Sequence, residues 1–409
     1  MKADIIVIGG GASGLAAAIC AARQGASVLI LERMPRIGKK LLATGNGKCN
    51  YTNRFMDVHC YHSRKPSAVA DILEAFNGEA AETFFAELGI LPKAKDGYVY
   101  PNSMQAASVL DALRFELERL GVGIITETEV DAVWPKGKGF QIQGANTIYH
   151  CRRVILACGG KASAKLGSNG SGYALAERLG HRIIPVVPAL TGLKAKEKFY
   201  KALAGIRVEA AVTLRIDGKA VDRHQGDVQL AEYGISGIPV FQVSGQAAYG
   251  LLEKRQVCCS LDFFPEMPEE NLAKLLEERY RKFQGRPVEA FETGLLNRKL
   301  IHECLRLAGG SANALPETEA LTKFLKHFPA TIAGSRGYDF AQVCAGGVDL
   351  NEICTKNCES TLHPGLYITG ELLDADGICG GYNLQWAWST GCLAGASAGK
   401  ECHASYRTN

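Results

Sequence analysis

The first residues able to do chemistry are glycines. Gly9-Gly10-Gly11-Ala12-Ser13-Gly14 spaces three of them as G-x-G-x-x-G, and Glu32 follows eighteen residues after the last. In a dinucleotide site Gly9 permits a tight turn, Gly11 lets a pyrophosphate approach the backbone, and Gly14 allows close helix–strand packing. The helix that follows points unpaired N–H groups and the positive end of its dipole at phosphates, which makes Ala12 and Ser13 cofactor-binding candidates with the glycines. Glu32 can accept from both hydroxyls of a ribose, which disfavours a 2′-phosphate and hence NADP in this pocket. FAD and NAD share that ribose, so this motif does not separate them.

A second constellation lies near the other end. Leu366-Tyr-Ile-Thr-Gly370-Glu371 reads as a strand ending in Gly-Glu, and Gly380-Gly381-Tyr382-Asn383-Leu384 as a glycine turn opening a helix. Glu371 could bond ribityl hydroxyls. Backbone N–H groups around Tyr382, Asn383 and Leu384 could meet the N1–O2 edge of a flavin, where reduction places negative charge that a helix start stabilises. A plain NAD dehydrogenase has no evident need of this distant half-site, so FAD is the expected cofactor. A third segment, Lys39-Lys40-Leu-Leu-Ala-Thr44-Gly45-Asn46-Gly47-Lys-Cys-Asn50, is rich in glycine and small polar residues. It either follows the cofactor toward its reactive end or is a surface loop, and the residues alone leave both open.

These residues need a frame. Asp4–Gly9 is a short apolar, β-branched run of the kind buried on both faces of a parallel sheet. Ser13–Gln24 is an alanine-rich helix ended by Gly25, and Ser27–Glu32 is a second buried strand, so the three make a βαβ unit. Apolar residues recur at helical spacing from Ser67 to Leu88 and from Ala106 to Leu120. Arg152–Gly160 is a further strand ending in glycines, and Ser171–Leu179 a helix. After Pro185 and Pro188 the texture shifts. Val208–Ile216 and Val257–Leu261 suggest antiparallel strands, and Glu269–Phe283 and Asn297–Leu307 amphipathic helices. A last helix covers about Leu384–Ala398. The fold class is α/β: a discontinuous Rossmann-like FAD-binding domain, 1–190 with 335–409, holding an insert at 191–334 that is β-rich to 262 and helical from 263.

Composition narrows the classes. The 409 residues are 47% hydrophobic and 22% charged, ordinary for a folded protein, with a net charge of +4 and no basic run that suggests nucleic acid or a membrane surface. The 14 cysteines form no C-x-x-C, and neither they nor the histidines cluster at zinc-like spacing, so no metal site, disulfide framework or disulfide-reductase chemistry is expected. The apolar stretch Ala3–Ala22 has only Lys2 ahead of it, contains the glycine cluster and runs into another strand. It is read as part of the fold and not as an export signal, which makes a cytoplasmic location with free thiols the expectation.

Taken together, Gly9–Gly14 with Glu32, Thr44-Gly-Asn-Gly-Lys-Cys-Asn50, Gly370-Glu371 and Gly381-Tyr-Asn-Leu-Gln385 resemble the BaiN/YhiN-like flavoproteins, a family that includes aminoacetone oxidase-like enzymes. Tyr100-Pro101 with Ala106–Leu110, Gly167–Gly172, Tyr233–Gly237 and Ala341–Val348 resemble it as well, so the likeness spans nearly the whole chain. It implies one non-covalent FAD in a two-part Rossmann-like domain, with the insert covering the flavin. It places Thr44, Gly45, Asn46, Gly47 and Asn50 near the flavin and Ala157, Cys158 and Gly159 beside the cofactor. Arg33, Lys40 and Val130 complete the cofactor-binding candidates. Many members carry a histidine before the Gly-x-Ser-Gly of the insert, where this chain has Glu232-Tyr233. A mechanism that uses that histidine does not transfer.

The expected chemistry is hydride transfer through flavin N5 on a small-molecule substrate. In one reading NAD(P)H is a transient electron donor and the acceptor is enone-like, as in bile-acid intermediates. In the other, a small amine such as aminoacetone is oxidised and oxygen yields peroxide. Flavin-dependent RNA modification and a non-catalytic flavin scaffold are the alternatives of other classes. No second G-x-G-x-x-G marks a separate nicotinamide domain. Tyr382, Arg336, Tyr338 and Glu232 are acid–base candidates by neighbourhood only. His302 and His327 read as structural, and Cys158 as a small buried thiol.

Overall fold

The computed structural model describes residues 1–144, 146–311 and 314–407, with side chains to residue 402. The chain forms two compact units, residues 1–187 with 343–409, and residues 188–342.

The first unit is built on a five-stranded parallel sheet. β1 (Ile5–Ile8) is central and every one of its residues is buried. α1 (Ala12–Arg23) returns the chain to β2 (Val28–Leu31), and β3 (Gly123–Ile125), β4 (Arg153–Leu156) and β5 (Leu366–Ile368) complete the order β5-β4-β1-β2-β3. Ile5 stands beside both Arg153 and Val28, and Val154 beside Leu366. The apolar runs of β1, β2 and β4 have strand neighbours on both edges, whereas β5 lies at one edge of the sheet, and each fully buried Ile, Val or Leu contributes about 1.5–3 kcal/mol.

One helix face closes this sheet. α2 (Tyr382–Arg407) is longer than its apolar pattern predicts. Its Gly391, Gly395 and Gly399 lie against Ser13, Ala17 and Ala21 of α1, where a methyl group at 395 would collide with the Ala17 carbonyl. Small residues four apart on both helices let the backbones touch, so the N-terminal turn of α1 is held from behind.

The stretch from Ser67 to Leu88 is two helices, Pro66–Ala75 and Gly78–Glu87. Asn77 interrupts the pattern because its side chain accepts the Ala80 amide at 3.0 Å and caps the second helix. Three small antiparallel ladders surround the sheet: Val130–Lys136 with Gly139–Gly144 and Thr147–Cys151; Thr52–Asn53 with Tyr98–Pro101 and Pro92–Lys95; and Tyr61–His62 with Asp376–Gly377.

The second unit contains a closed six-stranded barrel, in the order Leu193–Ala195, Gly234–Gly237, Lys219–Ala231, Arg207–Ile216, Val257–Asp262 and Phe328–Ser335. The division into a β-rich first part and a helical second part does not hold. Helix Ile238–Leu252 falls within the former and strand Phe328–Ser335 within the latter. Closure requires that late strand, because it pairs with both Val257–Asp262 and Leu193–Ala195 and leaves no edge. Among the described residues no helix is long and apolar enough to cross a membrane, and no group of three or more His, Cys, Asp or Glu could hold a metal ion.

Candidate cofactor-binding site

The turn between β1 and α1 has the shape an anion requires. A methyl group at Gly14 would strike the Gly9 carbonyl and one at Gly9 the Ala157 carbonyl, whereas a methyl at Gly11 would meet nothing within 4 Å. Gly9 and Gly14 are therefore required by packing, and Gly11 faces open space. Gly11 sits at the helix start with no side-chain cap, and no acidic residue occupies the first turn. Ala12, Ser13 and Gly14 thus open an uncapped twelve-residue helix toward that space.

Beside it lies a small open cleft lined by Gly9, Glu32, Arg33, Val130, Cys158 and Gly167, with Thr128, Glu129 and Ser171 also on its wall. Glu32 is buried. One of its oxygens accepts the Gly10 amide and the other the Met34 amide, each at 2.7 Å. The carboxylate is therefore fixed in place before any ribose arrives. Arg33 donates to the Gly167 carbonyl at 3.2 Å and stands 3.8 Å from Glu129. Cys158 donates weakly to the Ile8 carbonyl at 3.5 Å, and burial, followed by the Glu32 charge, pushes its thiol up to about 12. A thiol so held is protonated at neutral pH and packs as a small apolar group. Ala157 is buried behind the glycine turn, and Gly159 adopts φ +70° beside Ser168. The uncapped helix, the open Gly11 face and the anchored acid fit the phosphates and ribose of FAD. Thr128, Glu129 and Ser171 carried no signal of their own, although Ser171 belongs to the Gly167–Gly172 stretch of the family likeness.

The second half-site assembles around α2. Gly381 adopts φ +95°, and a methyl group there would lie 2.7 Å from the Thr52 carbonyl and 3.0 Å from the Asn50 side-chain oxygen. The loop ending at Asn50 and the start of α2 therefore meet. In that loop Gly45, Asn46 and Gly47 have φ of +55°, +53° and +81°, and Thr44 donates to the Leu41 carbonyl at 2.6 Å. Gly45 to Lys48 are exposed while Asn50 is buried. The Asn50 side chain accepts the Val99 amide at 3.1 Å, which ties the loop to the Thr52–Asn53 ladder.

Several candidates have partners that the sequence did not suggest. Glu371 accepts Lys40 at 2.7 Å on one oxygen and the Cys344 amide at 2.9 Å on the other, so Lys40 and Glu371 meet each other. Asn383 clamps Gly377 in both directions, accepting its amide at 2.9 Å and donating to its carbonyl at 2.6 Å. Gly370 donates to the Thr390 hydroxyl at 2.9 Å, and Leu384 packs on the core of this unit.

The acid–base candidates named by neighbourhood have structural partners of their own. The Tyr382 hydroxyl donates to the Phe55 carbonyl at 2.9 Å, and burial first of all pushes its pKa far up, so it braces the turn and is a poor proton donor. Glu232 is an exposed acid 3.9 Å from Lys201. The Arg336 guanidinium stacks over Phe340 at 3.5 Å and Tyr233 at 4.8 Å. Both belong to the second unit, and both have the surroundings of surface or packing groups.

A model of the HI0933-like protein Rossmann domain matches residues 3–397. The chain is 47% identical over 402 residues to the 3-dehydro-bile acid delta(4,6)-reductase of Clostridium scindens, covering 96% of this chain and 98% of that protein. It is 29% identical over 411 residues to a ribosomal RNA dihydrouridine synthase of Haemophilus influenzae, covering 97% and 98%. The solved 3-ketosteroid delta1-dehydrogenase of Sterolibacterium denitrificans shares the fold, with a TM-score of 0.51 at 13% identity over 98% of this chain and 100% of that one. With a nucleotide cradle at one half-site and a glycine-started helix at the other, the chain belongs to the HI0933-like Rossmann-domain family and is an FAD-dependent oxidoreductase.

Proposed function

We propose that this protein reduces a carbon–carbon double bond conjugated to a carbonyl in a small apolar, steroid-like molecule, with NAD(P)H as the electron donor. The observation that carries this reading is the 47% identity, over nearly the full length of both chains, to a reductase of 3-dehydro-bile acids. When bound, FAD supplies hydride transfer through flavin N5. The chain's own residues hold and orient it. The amides of Ala12, Ser13 and Gly14 receive the pyrophosphate, Glu32 accepts from the ribose, and Val130 borders the adenine end of the cleft. The loop Thr44–Asn50 and the first turn of α2 at Tyr382, Asn383 and Leu384 frame the ring system. Lys40 lies at the ribityl region, held there by Glu371.

A second reading has its own support in the 29% identity to a ribosomal RNA dihydrouridine synthase. A uracil ring also presents a double bond conjugated to a carbonyl, so the two readings share one bond change and differ in what carries it. The net charge of +4 and the absence of basic runs in the sequence favour the small molecule.

The test is anaerobic mixing of the yellow protein with NADH or NADPH, followed at the flavin absorbance band. A 3-oxo-4,6-diene steroid or a uridine-containing ribosomal RNA fragment is then added, and finally air with a peroxide assay. Bleaching by dinucleotide and recovery of colour with the steroid are expected. Recovery only with RNA selects the second reading. Bleaching by aminoacetone with peroxide release, and none by dinucleotide, overturns both.

A further inference from the structure

We propose that His62, oriented by the buried carboxylate of Asp376, donates the proton that completes reduction of the double bond. The proposal rests on the reductase reading above and extends it to the residue that handles the proton.

The pair is made by chain pairing between distant segments. Tyr61–His62 and Asp376–Gly377 form a two-residue antiparallel ladder with His62 directly opposite Asp376. His62 Nδ1 lies 3.4 Å from an Asp376 oxygen, and the side chains are 34% and 6% exposed respectively. A buried carboxylate facing a half-open imidazole is the arrangement that fixes a ring's orientation and favours its protonated form. Both strands are tied to the first turn of α2. The Tyr61 hydroxyl donates to the Tyr382 carbonyl at 2.9 Å, and Asn383 clamps Gly377, the neighbour of Asp376, in both directions. The ladder continues one step further, where the Ile378 amide donates to the Cys60 carbonyl at 2.9 Å. A methyl group at Gly377 would lie 2.5 Å from the Tyr382 Cβ, so no slack separates this ladder from the helix start. The pair is therefore anchored to the same turn that frames the flavin in the reading above.

Several charged groups of the described residues act on the pair. Burial pushes the Asp376 carboxyl up, His62 pulls it back, and Glu371 adds to the rise. Asp374 interacts with Asp376 through charge, and is itself acted on by Asp349 and Arg64. Glu371 is itself paired with Lys40.

The step balances as follows. Hydride addition to the carbon β to the carbonyl forms one C–H bond, and the π pair shifts toward the α carbon. His62 as imidazolium gives its Nε2 proton to that carbon. The N–H bond breaks with its electrons kept on nitrogen, a second C–H bond forms, and neutral imidazole is left to take a proton from water. The substrate gains two electrons, which a nicotinamide dinucleotide supplies by way of the bound cofactor. Asp376 exchanges no proton with the substrate and acts as a positioning residue.

The test compares the yellow wild-type protein with His62→Gln and Asp376→Asn, each matched for flavin content. Bleaching by dinucleotide is the internal reference, and recovery of colour on adding the 3-oxo-4,6-diene steroid is the step measured. For His62→Gln the ratio of recovery rate to bleaching rate should fall about a hundred-fold or more, the scale of a lost general acid. Asp376→Asn should shift the pH profile of recovery to lower pH. It should also lower the midpoint of the His62 ring signals followed by NMR, a readout that needs no turnover. Recovery by His62→Gln at the wild-type ratio, or His62 signals unmoved by Asp376→Asn, overturns the proposal while leaving the reductase reading intact. A wild-type protein that bleaches but never recovers with the steroid overturns the reductase reading, and the proton-donor role with it.

Discussion

Gly395 of α2 sits against the carbonyl of Ala17 in α1, with no room for a methyl group between them. The contact matters because α1 opens at the open Gly11 face, and α2 opens at the turn of Gly380 and Gly381. One helix pair therefore sets the directions of both helix starts. Gly395→Ala forces the backbones apart, and overpacking of this kind costs about 1–3 kcal/mol. Urea unfolding should show that loss, and FAD titration of the apoprotein should show weakened binding although residue 395 is remote from the cleft. Unchanged stability would mean that the helices are free to separate.

Lys40 and Glu371 meet at 2.7 Å across 331 positions of sequence. Both are partly exposed, with side chains 26% and 18% accessible, so solvent screens the attraction. A double-mutant cycle with Lys40→Met and Glu371→Gln should return a coupling of about 1 kcal/mol. Glutamine keeps an oxygen for the Cys344 amide, so the cycle isolates the charge pair. A coupling indistinguishable from zero would show that the two contribute independently.

Glu32 offers a sharper test because its carboxylate is already fixed by the Gly10 and Met34 amides. Glu32→Arg puts a cation where those amides and the ribose need an acceptor. Hydrogen bonds to a charged group contribute about 1.5–3 kcal/mol each. The purified variant should lose its yellow colour, and FAD affinity should fall about a hundred-fold or more. Retention of full colour would overturn the ribose assignment.

What could be read in advance follows from the range of the interactions. The βαβ unit is local: a buried run, an uncapped glycine turn and an acid at the end of β2 declare themselves within thirty-odd residues, and the strand and helix bounds fall within about one residue of the reading. Amphipathic helices such as Glu269–Phe283 show for the same reason. Barrel closure by Phe328–Ser335 was not legible, because a strand's partners lie far away in sequence and its pattern alone does not rank them. The same limit hid the Lys40–Glu371 and His62–Asp376 pairs. Tyr382 was placed at the right turn, but which way its hydroxyl points depends on the Phe55 carbonyl, more than three hundred residues earlier. The glycines at 391, 395 and 399 were legible in principle, since their spacing of four matches Ser13, Ala17 and Ala21.

Asp374 makes stability depend on pH. Burial pushes its carboxyl up to about 6, the charges of Asp376 and Asp349 add to the rise, and the Arg64 amide at 2.9 Å opposes it. Its pKa in the folded state lies above the ordinary value of 3.8, so folding favours the protonated form. The stability it contributes is fully present below about pH 4 and is lost as pH rises through about 6. A shift of about two units corresponds to roughly 3 kcal/mol. Asp374→Asn keeps an oxygen for the Arg64 amide and cannot ionise. Relative to wild type, the variant should gain stability progressively between about pH 4 and 6 and hold a margin of up to roughly 3 kcal/mol at neutral pH. Urea unfolding of both proteins across that range measures the difference directly. A margin that does not change with pH would mean that Asp374 titrates elsewhere.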